Sequence, residues 1–107
     1  MNNYVNIFVA VNYDTSNLVG FFIDSIKKLT KNYIIVIVDN FSNEKCRSDT
    51  KKFAEENIFI LENENVGYGK GLNDGVLFSR SKVKSTNSRF YLSNIDIEYQ
   101  KISSKSF

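Results

Sequence analysis

Histidine and proline are missing from this 107-residue sequence, and cysteine occurs once, as Cys46. Without an imidazole there is no Ser-His or Cys-His catalytic pair, and with one thiol as well the common zinc sites are excluded. A lone cysteine forms no intrachain disulfide, which fits a reducing compartment. With no histidine to draw out its thiolate, Cys46 is expected as a small buried hydrophobe. Charge of one sign is also scarce. A formal net charge of +2 is too small to make nucleic acid or an anionic membrane the main partner. Long apolar runs are absent: no stretch approaches the ~20 residues of a membrane span, and the start "MNNYVN" has no basic segment leading into one. The chain therefore reads as cytoplasmic, with carboxylates and backbone groups left to carry any chemistry.

What is present suffices for a packed globule. Hydrophobic residues make up 42% of the chain, with nine Phe and six Tyr, which argues against global disorder. A chain this short is one domain at most and buries only about two thirds of the surface that its unfolded form exposes. "YVNIFVAV" (4–11) reads as a strand covered on both faces and "YIIVIV" (33–38) as a second buried strand, with "IFIL" (58–61) and "RFYLSNI" (89–95) as the third and fourth. Between the first two, "DTSNLVGFFIDSIKKLTKN" predicts a helix capped by Thr15 or Ser16, with Leu18, Phe21, Phe22, Ile26 and Leu29 facing inward and Lys27 and Lys28 at its end. Ser42 or Asn43 caps a second helix over 44–56, burying Cys46, Phe53 and Thr50. "ENENVGYGKG" is expected as a loop and "GLNDGVLFSR" as a third helix packed through Leu72, Val76 and Leu77. Strands alternating with helices at this spacing mean right-handed crossovers and a parallel sheet.

Polar residues without a core role cluster at the carboxyl ends of these strands. Asn12, Tyr13 and Asp14 follow the first, Asp39 and Asn40 the second, Asn63, Asn65 and Gly67 the third, and Asn94 and Asp96 the fourth. In an open α/β sheet that edge binds ligands, at the point where strand order reverses. With an order of 3-2-1-4, Tyr13 and Asp96 flank the reversal. The glycine-rich stretch "NVGYGKGLNDG" fits neither a dinucleotide fingerprint nor a Walker loop. From Gly67 and Gly69 the third glycine position holds Leu72, and Gly69-Lys70 is followed by Gly71 rather than Ser or Thr. Its glycines either let backbone approach a ligand or merely permit close packing.

Four blocks in order, "VAVNYD", "IIVIVDNFSNE", "NENVGYGKGLNDGV" and "FYLSNIDIE", resemble the N-terminal half of family 2 glycosyltransferases of the GT-A fold. The resemblance implies a three-layer Rossmann-like half domain, with a mostly parallel four-stranded sheet (order 3-2-1-4) and helices on both faces. It implies a nucleoside-diphosphate sugar, UDP or dTDP type, and inverting transfer to a saccharide or lipid-linked acceptor hydroxyl, as in cell-surface polysaccharide biosynthesis. By the same resemblance, Asn12, Tyr13, Asp39, Asn65, Gly67, Asn73 and Asn94 are expected to bind the nucleotide sugar. Tyr13 would lie against a pyrimidine and Asp39 would accept its N3 hydrogen. Asp96 would hold Mg2+ or Mn2+ on the diphosphate. Each has a plainer alternative: Tyr13 packing on a helix, Asp39 or Asn65 shaping a turn, Asp96 simply ending a strand.

Two departures qualify the resemblance. Ile95 stands where many members have proline, and the family's catalytic base and acceptor-binding part lie downstream of the segment matched here. Residues 1–107 are thus expected as a single truncated donor-binding domain, with 99–107 as a frayed tail and transfer activity lost without the base. The competing reading is a non-catalytic nucleotide-binding or interaction module that pairs with another chain. A receiver-like or flavodoxin-like domain needs a fifth strand for which there is no room. An uncovered fourth strand predicts homo-association through the sheet edge. The basic residues Arg80, Lys82, Lys84 and Arg89 read as a solvated loop, or as a contact with an acidic acceptor or with lipid headgroups at the inner face of a membrane.

Overall fold

A computed structural model describes residues 4–40, 43–63, 67–83 and 87–95 of the chain. Its elements alternate as β1 (Val5–Asn12), α1 (Ser16–Leu29), β2 (Tyr33–Asn40), α2 (Glu44–Lys51), β3 (Ile58–Asn63), α3 (Tyr68–Lys82) and β4 (Ser88–Asn94). The pairings among these four strands are parallel, as their alternation with helices predicts, and the order is β3-β2-β1-β4, as the family resemblance implies.

The period-2 alternation of side chains divides each apolar run between two cores. Phe8, Ala10, Ile35, Ile37 and Ile58 point to one face and meet Val19, Phe22, Ile23 and Ile26 of α1. Ile7, Val9, Val11, Val36 and Val38 point to the other and meet Leu72, Val76 and Phe78 of α3. Burial on both sides is why the central strands carry hardly a polar residue until their ends. A side chain such as Phe22, 1% exposed, contributes roughly 1.5–3 kcal/mol by leaving water.

The buried stripe of α1 differs from the expected one. Val19 and Ile23 are buried with Phe22 and Ile26, whereas Phe21 is 66% exposed. Successive helical residues are rotated by about 100°, so a stripe through Val19, Ile23 and Ile26 turns Phe21 to solvent. The helix stops at Thr30, whose backbone is extended and whose N–H still donates to the Ile26 carbonyl.

Helix α2 is shorter than predicted, ending at Lys51. Its one buried side chain is Thr50, and Cys46 is half-buried rather than enclosed. So thin an inward face supports no longer helix. Asn43 caps it, the side-chain oxygen accepting from the Cys46 N–H at 2.9 Å.

Helix α3 starts earlier than predicted, at Tyr68 rather than Gly71, so Tyr68, Gly69 and Lys70 are helical rather than looped. Gly67 precedes it at φ 84, a left-handed conformation natural to glycine. At Gly75 a Cβ would lie 2.5 Å from Val9 Cγ1 and 3.0 Å from Val38 Cγ2, and at Gly71 3.2 Å from Val11 Cγ2. These two glycines let the helix backbone rest directly on β1 and β2. Close packing thus accounts for half of the glycine-rich signature.

Candidate functional site

Parallel pairing brings all four carboxyl ends to one edge of the sheet. In register, Asn12 lies opposite Asp39, Asp39 opposite Glu62, Asn40 opposite Asn63, and Val11 opposite Asn94. The polar residues expected just past the strands are therefore their last rungs. Strand order reverses between β1 and β4, where a crevice for ligands opens in sheets of this kind.

Asn12 organises the centre of this edge. It has no exposed surface, and neither have Asp39 and Thr50. Its Nδ2 donates to Thr50 Oγ1 at 3.2 Å and to Asp39 Oδ1 at 3.5 Å. Its Oδ1 accepts from the Thr15 backbone N–H at 3.2 Å and from the Thr15 hydroxyl. Burying an amide is tolerable when its donors and acceptors are occupied in this way. Thr15, which stands at the N-cap position of α1, makes no side-chain cap bond there; its hydroxyl is turned to Asn12.

Tyr13 is the opposite case, with 57% of its surface exposed. The next residue, Asp14, is in the left-handed region at φ 55, and its Oδ1 accepts from the Asn43 N–H at 2.8 Å. The exposed ring therefore projects from a turn held on both sides. Asp39, bonded to the neighbouring Asn12, is fully buried, so a ligand reaches that carboxylate only by displacing what covers it.

The α3 side of the edge carries a second polar group. Asn63 Nδ2 donates to Asp74 Oδ2 at 2.9 Å, and Lys70 pairs with the same carboxylate at 3.4 Å. Gly67 lies at the start of α3 on this edge, while Asn73 is an exposed residue inside the helix and joins neither group. Asn65 and Asp96 lie outside the described residues, as does the Asn94 side chain; the Asn94 backbone is paired with β1. Among the described residues no three Asp, Glu, Cys or His side chains cluster for a metal. Magnesium bound chiefly through substrate phosphates needs only one or two carboxylates, so the donor set neither supplies a cage nor requires one. A concavity of about 390 Å³ opens beside this edge, lined by Glu44, Arg47, Ser48, Lys51 and Glu62, with Lys51 and Glu62 paired at 3.2 Å.

Of the predicted basic segment, Arg80, Lys82 and Arg89 lie at the opposite edge, stacked over Phe90, Phe59 and Phe78, and Tyr4 respectively. Lys84 is outside the described residues. No helix among the described residues is long and apolar enough to cross a membrane.

The structure thus brings Asn12, Tyr13 and Asp39 together, and adds Thr15, Asn43 and Thr50, which sequence reading does not place in the site. Their only signals are capping residues at two helix starts and a threonine on a helix with little apolar surface. A buried amide flanked by an exposed aromatic, on the ligand-binding edge of a parallel sheet, can present a flat ring to a base and hydrogen-bonding groups beside it. No curated protein matches the chain. The family model described as Glycosyl transferase family 2 does match, over residues 7–96, from β1 past the end of β4. The chain belongs to glycosyl transferase family 2.

Proposed function

We propose that the chain binds the donor of a glycosyl transfer, a nucleoside-diphosphate sugar of UDP or dTDP type, across the carboxyl edge of its sheet. The observation that carries this reading is the presentation of Tyr13, exposed between the tethered Asp14 and the buried Asn12, which is bonded to Asp39. The ring offers a stacking face for a pyrimidine. Once the base enters, the Asp39 carboxylate accepts its N3 hydrogen, a charge-assisted bond that uracil and thymine provide and cytosine does not. Gly67 stands on this edge at the start of α3, and Asn65, Asn73 and Asn94 are proposed as further contacts of the nucleotide sugar. Asp96 is proposed to hold Mg2+ or Mn2+, which when bound neutralises charge on the diphosphate. The acceptor is a saccharide or lipid-linked hydroxyl, whose oxygen attacks the anomeric carbon of the donor with inversion while the nucleoside diphosphate leaves. No residue of this chain is assigned as the general base.

A second reading follows from the sheet edge. Among the described residues β4 pairs only with β1, and Leu92 on it is 52% exposed. That edge suits a module that binds nucleotide without catalysing transfer and pairs with a second chain.

Calorimetric titration with UDP, dTDP, CDP, GDP and ADP, with and without Mn2+, tests the donor reading. UDP and dTDP should bind best and more tightly with metal. Tyr13→Ala should weaken UDP by the ~1–3 kcal/mol of one base-aromatic stack. Asp39→Asn should narrow the gap between UDP and CDP, and Asp96→Ala should abolish the metal effect. Equal weak binding of all five nucleotides would overturn the assignment.

A further inference from the structure

We propose that Asp14 is a positioning residue, a latch that ties the β1–α1 turn to the start of α2 and so sets the Tyr13 ring for the base. This rests on the donor reading above and deepens it.

Asp14 is the one non-glycine residue at positive φ among the described residues. A side chain there is strained, and glycine would adopt φ 55 without that strain. What aspartate adds is its carboxylate, and Oδ1 is engaged by the Asn43 N–H at 2.8 Å, across 29 positions of sequence. Asn43 then passes the restraint on, because its own side chain caps α2 through the Cys46 N–H. On the other side of Tyr13, Asn12 reaches the far end of the same helix through Thr50 Oγ1 at 3.2 Å. Residues 12 and 14 thus grip α2 near its two ends, and the residue between them is the exposed tyrosine.

A turn held in this way leaves the backbone that carries the ring little freedom to lose when a base stacks on it, and affinity gained by preorganisation is a recognised use of local strain. An ordinary turn aspartate bonds to its own neighbourhood a few residues on. This one bonds to a different crossover at the ligand-binding edge. The substitution Asp14→Asn keeps both tolerance of the left-handed region and an acceptor oxygen, which supplies the conservative control.

Stability and binding should separate on substitution. Asp14→Gly removes the strain together with the carboxylate, so it should melt within about 5 °C of the parent. Its dissociation constant for UDP should rise at least about fivefold, and the Asn43 amide should lose its protection from hydrogen exchange. Asp14→Asn should bind UDP within about twofold of the parent. If the parent binds UDP and Asp14→Gly binds it equally well, the latch is wrong while the donor site stands. The latch also fails if Asp14→Asn is as impaired as Asp14→Gly. If the parent does not bind UDP, the donor reading falls and takes the role of Asp14 with it.

Discussion

Ser93 shows how one atom can be out of keeping with its surroundings. It lies on β4 opposite Ala10, 7% exposed, and its Oγ is buried with no hydrogen-bond partner among the described residues. A buried hydroxyl without a partner retains its desolvation cost, about 1–3 kcal/mol. Ser93→Ala is therefore expected to stabilise the chain by about 1 kcal/mol, read as a higher urea midpoint with an unchanged slope. A fall in the midpoint would mean that the hydroxyl is partnered after all. The glycines of α3 make a sharper contrast. Gly75→Ala should cost roughly 1–3 kcal/mol by forcing the helix off Val9 and Val38. At Gly69 nothing among the described residues lies within 4 Å of the place a Cβ would take, and the same change should gain roughly 0.5–1 kcal/mol. Urea denaturation of the two variants checks both signs.

At the scale of elements, α2 is the most dependent on side-chain bonds. Asp49 lies 3.2 Å from Lys45 and 3.7 Å from Lys52. The hydrogen bond from Lys45, then the charges of Lys45 and Lys52, hold its carboxyl below the ordinary value despite some opposing desolvation. A depressed folded pKa stabilises the folded state above the unfolded value near about 3.9. That contribution is lost as pH falls through the folded value. Asp49→Asn should therefore lower the urea midpoint at about pH 5 and leave it little changed near pH 2, with the difference shrinking in high salt because the pair is exposed.

The elements differ in how far they can be read from sequence. Strands β1 and β2 are legible because continuous β-branched runs have few other uses. The parallel pairing follows from the alternation with helices, whereas the order 3-2-1-4 rests on the family resemblance. The start of α3 is hidden because glycine signals a turn locally, and only the sheet beneath shows Gly71 and Gly75 to be contact points. Adjacent Phe21 and Phe22 obscure the inward face of α1. Within the site, residue types and edge are legible, since polar residues break the apolar runs at four strand ends. The bonds from Asn12 to Thr50 and from Asp14 to Asn43 are not. They join segments 38 and 29 residues apart, and one sequence carries no sign of such pairings.

Across the whole molecule the two sheet edges divide labour. The carboxyl edge gathers the buried amide network and the presented tyrosine; the amino edge carries cations over aromatic rings. The sheet also has lateral margins. β4 is unpaired on its outer side among the described residues, with Leu92 half-exposed, and an open apolar margin of that kind favours strand pairing with another chain. Light scattering over a concentration series should show association, and Leu92→Lys should reduce it. A monodisperse monomer at high concentration would count against this.

The central claim is that a pyrimidine nucleotide lodges at the carboxyl edge beside Tyr13. Amide chemical-shift mapping of the labelled chain during titration with UDP addresses it residue by residue. Shifts concentrated at residues 12–15, 39–43 and 67–71 are predicted. Shifts confined to the amino edge, at residues 30–33, 55–57 and 87–89, or spread evenly over the chain, would contradict it.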